Sequence, residues 1–150
     1  MPATDRATQA KEAKRWVARA DLDAAAAARL STGNPPLPSV AAFHCQQAAE
    51  KLLKAALVRV GVRPRRTHDL GSLADEAAPL LPALKPLAEP LRRWTLWSFA
   101  FRYPLGEGIE EPEPTVAEIQ VVLDQIAALR AAVLRSIDSD RGGPSGEPSA

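Results

Sequence analysis

From Ser39 to Val60 the chain reads SVAAFHCQQAAEKLLKAALVRV, with no glycine or proline, and this unbroken run limits the fold more than any other feature. Alanine, leucine, glutamate and lysine dominate it, and all are strong helix formers. At about 100° per residue, Ala42, Cys45, Ala49, Leu52, Leu53, Ala56 and Val60 share one arc, the side expected to enter a core. His44, Gln47, Glu50, Lys51 and Lys54 gather opposite. Gln46 falls inside the apolar arc, where an amide without partners costs about 1–3 kcal/mol. Taken alone, the polar side reads as a solvated face with a Glu50–Lys54 pair at the favourable i, i+4 spacing. Phe43 and Val58 share that side with the charges, a mixture that points to a partner surface and hence to a dimer.

Glycine and proline mark the joints on either side. Ser39 is expected as the N-cap of this second helix and Gly61 as the glycine just past its end. A first helix is expected from about Thr8 to Leu30, with Trp16, Ala20, Ala24 and Ala27 on one face, ended by STGNPPLP. Thr67 or Asp69 would cap a third helix through Leu70, Leu73 and Ala77. A fourth would span Lys85 to Phe101, with Pro90 either straining it or marking its true onset. A fifth would run from Thr115 to Ile137, where Val116, Ile119, Leu123, Ile126, Val133 and Ile137 recur at helical spacing. Period-two runs of β-branched residues do not occur. The expected architecture is therefore all-α, an antiparallel bundle of four to five helices over residues 1–137. The segment 138–150, DSDRGGPSGEPSA from Asp138 onward, is expected to be a disordered tail.

At 150 residues, 46% hydrophobic and 25% charged, the chain is of single-domain size and globular composition. A net charge of +1 gives no global pull toward nucleic acid, so such binding needs a local patch. One cysteine and two histidines provide neither a disulfide nor a convincing metal site, and no cofactor or metal is expected. No apolar run approaches the roughly 20 residues a membrane span requires, so a cytoplasmic location without membrane attachment is expected.

The stretch FHCQQAAEKLLKAAL resembles the central helix of HEPN-domain proteins. WVARADLDAAAA at 16–27 is similar to their first helix, THDLGSL at 67–73 to the entrance of their third, and FRYP at 101–104 to the end of their fourth. These matches stand in order over residues 14–105. The resemblance implies a helical bundle that usually forms a homodimer, with a cleft near the dimer axis. Many members are metal-independent RNases, often toxins, marked by an arginine and a histidine separated by four to six residues. Others bind nucleotides or accompany a minimal nucleotidyltransferase in toxin–antitoxin systems. Here Arg102 is present, but positions 107–109 read Glu-Gly-Ile. The histidine is missing, and with it the imidazole that would accept and donate a proton during attack by the RNA's own 2′-hydroxyl.

The leading expectation is thus a homodimeric HEPN-like protein that binds RNA or a nucleotide, with a nucleotidyltransferase partner and without robust RNase activity. Gln47, Lys51, Lys54, His68, Arg102 and Tyr103 are the expected binding residues. One rival is an RNase with a rearranged Arg102/His68 site, making those two the catalytic candidates; another is a protein-interaction module. Each residue also has a plainer role. His68 would bond locally after a Thr67 cap, His44 would lie at the surface or an interface, and Arg102 would close the fourth helix. Tyr103 would pack against the next turn, and Trp94 and Trp97 would serve the core. Arg63, Arg65 and Arg66 form the compact basic cluster, suited to phosphates or simply solvated. Glu107 would serve as a base only if desolvated, which the acidic run GEGIEEPEP does not favour.

Overall fold

The computed structural model describes residues 3–98, 106–108 and 113–139. Among them lie five α-helices and no strands: α1 (Ala3–Thr32), α2 (Pro38–Arg59), α3 (Leu70–Ala77), α4 (Lys85–Ala88) and α5 (Val116–Asp138). The all-α expectation holds. Arg102, Tyr103, the rest of FRYP and residues 140–150 fall outside the described residues, as does the expected end of the fourth helix at Phe101.

Helix α2 sits at the centre, packed against α1, α3, α5 and the segment Glu89–Ser98. Its expected apolar arc is buried throughout except at Val60, which is half-buried. The opposite side departs from expectation. Val58, Glu50 and Lys54 are buried as well, so the polar stripe is not a solvated face. The reason lies in α1, whose alanines at 13, 20 and 27 are buried and bring the two backbones close along their longest seam. Asp21 and Asp23 tie α1 to both neighbours. Two residues apart, they point about 200° apart around the axis. Asp21 takes a bidentate grip from Arg130 of α5, at 2.7 and 3.0 Å, which raises the Arg130 pKa, while Asp23 faces α2.

The helix ends follow local chemistry with one correction. Ser39 is not the cap of α2: Leu37 is, without a side-chain bond, because Pro38 at the first helical position needs no N–H partner and has its φ preset. Ser39 instead donates to Glu113 at 3.2 Å. Gly61 follows the C-cap with φ of 80°, a conformation that favours glycine. For α3 the cap is Asp69, whose Oδ1 accepts from Ser72 N–H at 3.2 Å; Thr67 Oγ1 accepts from Asp69 N–H at 3.1 Å, bracing the turn before it. Thr115 caps α5 by accepting from Glu118 N–H at 3.1 Å.

The expected fourth helix is broken. A 3₁₀ turn at Pro82–Leu84 leads into α4, a single α-turn, and a 3₁₀ run follows over Glu89–Ser98. Pro90 removes the N–H that would continue the α ladder, and its ring collides with the carbonyl four residues back. Side chains hold the segment instead: Leu91, Trp94 and Trp97 are buried, and Thr95 Oγ1 accepts the Leu70 N–H at 2.9 Å. Arg92 crosses α3 at Gly71, where a Cβ would lie 2.7 Å from Arg92 Nη1 and 3.1 Å from its Cγ, and reaches Asp75.

Candidate functional site

Two carboxylates organise the polar seam between α1 and α2. Glu50, 4% exposed, is the first. Lys54 Nζ, one helical turn on, donates to its Oε1 at 2.7 Å, while His68 Nδ1 lies 2.8 Å from Oε2. Gln46 Nε2 donates to Oε2 at 3.3 Å and to the His68 carbonyl at 3.0 Å, and Gln47 Nε2 donates to Gln46 Oε1 at 2.7 Å. The amide that stood out in the apolar arc is therefore satisfied. Burial alone pushes the Glu50 carboxyl upward, but the bonds from Lys54, His68 and Gln46 together with the Lys54 charge outweigh it, so the net direction is down from its ordinary 4.5.

The second carboxylate is Asp23. It receives Lys51 Nζ on Oδ2, and His44 Nδ1 lies 2.8 Å from Oδ1. Trp16 stands beside both clusters, with Lys54 Nζ 5.7 Å from its ring centroid, and lines a groove that Lys51 also lines.

Gln47, Lys54 and His68 thus meet around Glu50. Lys51 does not join them and turns to Asp23 instead. His44 of α2 is half-buried and reaches Asp23 of α1, so it is not a free surface group. The local role for His68 is also overturned, because its ring reaches across eighteen positions to Glu50. Arg65 pairs with Ser72 at 3.0 Å and Glu76 at 3.4 Å, while Arg63 and Arg66 are exposed in the same loop. Glu107 is exposed and in a turn, without the desolvation a base would need.

Asp23 was missed by sequence reasoning. The available signal was two acids in an alanine run, DLDAAAA, where charge is otherwise sparse. Glu50 was assigned to its i, i+4 lysine, but its long-range partners follow only from the loop that brings His68 back over α2.

A family model for the HEPN domain matches residues 13–135. The chain belongs to the HEPN-domain family. No curated protein and no solved structure matches it. Within this HEPN domain the matched region contains both carboxylate clusters and the His68 turn. Among the described residues no helix is long and apolar enough to cross a membrane.

Cys45 lies on the core side of the same helix, fully buried, and burial pushes its thiol up to about 12. It is unsuited to act as a nucleophile, which requires thiolate. A thiol-specific reagent at about pH 8 is expected to leave native protein unmodified and to label one site in denaturant. Stoichiometric labelling of native protein within minutes would contradict the burial.

Proposed function

We propose that this HEPN protein binds RNA or a nucleotide through its phosphate groups, as a homodimer beside a minimal nucleotidyltransferase in a toxin–antitoxin-type system, without robust RNase activity. The observation that carries the reading is the anchoring of His68. Its side chain is 70% exposed, yet Nδ1 is held by a carboxylate that is itself buried. Fixing an exposed ring sacrifices side-chain freedom, and the anchor directs Nε2 outward from the end of the loop bearing Arg63, Arg65 and Arg66. A cationic loop with a preset ring nitrogen suits a phosphate oxygen. Gln47 and Lys54 hold Glu50, and through it that ring, from within α2; Lys51, which pairs with Asp23, and Arg102 and Tyr103 belong to the proposal on sequence grounds.

The same pair also favours a second reading. When His68 donates its Nδ1 proton to Glu50, Nε2 is left as a proton acceptor, the orientation a general base needs. An RNase using His68 with Arg102 would pass the 2′-hydroxyl proton to Nε2 as the 2′-oxygen attacks phosphorus, release the 5′-oxygen with a proton from solvent, and leave a 2′,3′-cyclic phosphate.

Labelled RNA and ATP titrated in EDTA separate the readings. The first expects binding that weakens as salt rises, a loss of about tenfold or less in His68→Ala, and intact RNA throughout. Cleavage to cyclic-phosphate ends that vanishes in His68→Ala and Arg102→Ala would establish the second. Absence of RNA or nucleotide binding at low salt would refute both.

A further inference from the structure

An open groove of about 760 Å³ lies where α1 meets Lys51 of α2, lined by Glu12, Arg15, Trp16, Ala18, Arg19 and Lys51 and by none of the arginines of the His68 turn. Its size falls in the range of small-molecule sites, about 300–1,000 Å³. Arg15 and Arg19 are exposed, stand one helical turn apart on the same face, and carry no ion pair among the described residues. Such bare guanidinium groups contrast with Arg65, Arg92 and Arg130, each committed to a carboxylate. Lys51 is neutralised by Asp23, so the groove keeps the two uncommitted guanidinium groups of Arg15 and Arg19 against the single carboxylate of Glu12.

Trp16 supplies the other half of the chemistry. It lines the groove with a large flat, half-buried ring, with Lys54 Nζ 5.7 Å from its centroid. Two forked cations beside an indole match a ligand with phosphate at one end and a flat heterocycle at the other.

We infer that this groove is a nucleotide subsite in which Arg15 and Arg19 grip a 5′-phosphate and Trp16 takes the base by stacking. The inference rests on the ligand reading proposed above and adds a second contact region to the His68 turn. The nucleotide can be free or can be the phosphorylated end of an RNA, since the groove is open along one side.

The test uses the full chain, with AMP and a 5′-phosphorylated oligoriboadenylate as probes, calorimetry for affinity and tryptophan emission for stacking. Both probes are expected to quench emission, and Trp16→Phe is expected to remove the quench while Trp94 and Trp97 continue to emit. The double variant Arg15→Gln/Arg19→Gln is expected to bind at least about tenfold more weakly with unchanged helical content, whereas Arg135→Gln, at an exposed position of α5, binds as the parent does. AMP binding as tightly as the oligomer identifies free nucleotide; a large advantage of the oligomer identifies an RNA end. Undiminished affinity in the double variant would overturn the subsite while leaving the proposed function standing. Competition by polyglutamate at equal charge concentration would overturn it too, because charge alone would then explain binding. Failure of the parent protein to bind either probe would sink both.

Discussion

Glu50→Gln is expected to destabilise the protein by about 3–5 kcal/mol, measured as a drop in the denaturant midpoint at neutral pH. The substitution keeps the side chain's shape and removes its charge. Lys54, 8% exposed and donating to Glu50 at 2.7 Å, is then left as a buried ammonium without its counter-charge, and His68 loses its anchor. Removing one member of such a pair is the costly change; removing both is far milder. Glu50→Gln combined with Lys54→Met is therefore expected to recover most of the loss. A double variant no more stable than the single one would refute the pairing.

The same residue gives a pH signature. Its folded pKa is depressed, so its contribution is fully present above the ordinary value of 4.5 and is lost as pH falls through the folded value. The stability gap between the parent and Glu50→Gln is thus expected to be widest near neutrality and to narrow below about pH 4.5. A gap that stays constant down to about pH 3 would contradict the depressed carboxyl.

Trp94→Ala is expected to cost about 3–5 kcal/mol, for a different reason. The run Glu89–Ser98 has 3₁₀ geometry, whose backbone bonds are poorer than those of an α-helix, so tertiary anchors hold it. Trp94 is one of the two tryptophans among these. Its ring lies 4.1 Å from that of Trp97, centroid to centroid, its Nε1 donates to Gln125 of α5 at 3.3 Å, and the Arg93 guanidinium sits 4.2 Å from its centroid. Truncation removes the packing, opens a cavity and leaves the Gln125 oxygen without that donor. Because Thr95 also accepts the Leu70 N–H, the loss is expected to spread to the start of α3. Hydrogen exchange should accelerate over Glu89–Ser98 and α3 well before α2. A loss under about 1 kcal/mol, or uniform acceleration along the chain, would show that the segment does not depend on this anchor.

The long elements were legible because their signals are local. An unbroken run of helix formers with apolar residues on one arc has to bury that arc, which is why α1, α2 and α5 emerge from the chain alone with their ends displaced by a few residues. Gly61 was legible for the same reason, as were Asp69, one of two candidates with Thr67, and the start of α5 at Thr115, since a helix end is satisfied within its own turn. Pro90 was visible as a problem, but its outcome was not: whether a proline kinks, delays or converts a helix depends on which side chains can hold the alternative.

The candidate site divides along the same line. Residue type and spacing establish that Gln47, Glu50, Lys51 and Lys54 lie together on one side of α2, because helical geometry fixes angles around an axis. Those angles do not say what covers that side. Only the packing of α1 against α2, and the return of the chain over α2 at His68, decided that Glu50 is buried and shared while Lys51 turns away to Asp23. Burial and long-range pairing are set by which other segment arrives, and that is a property of the whole fold.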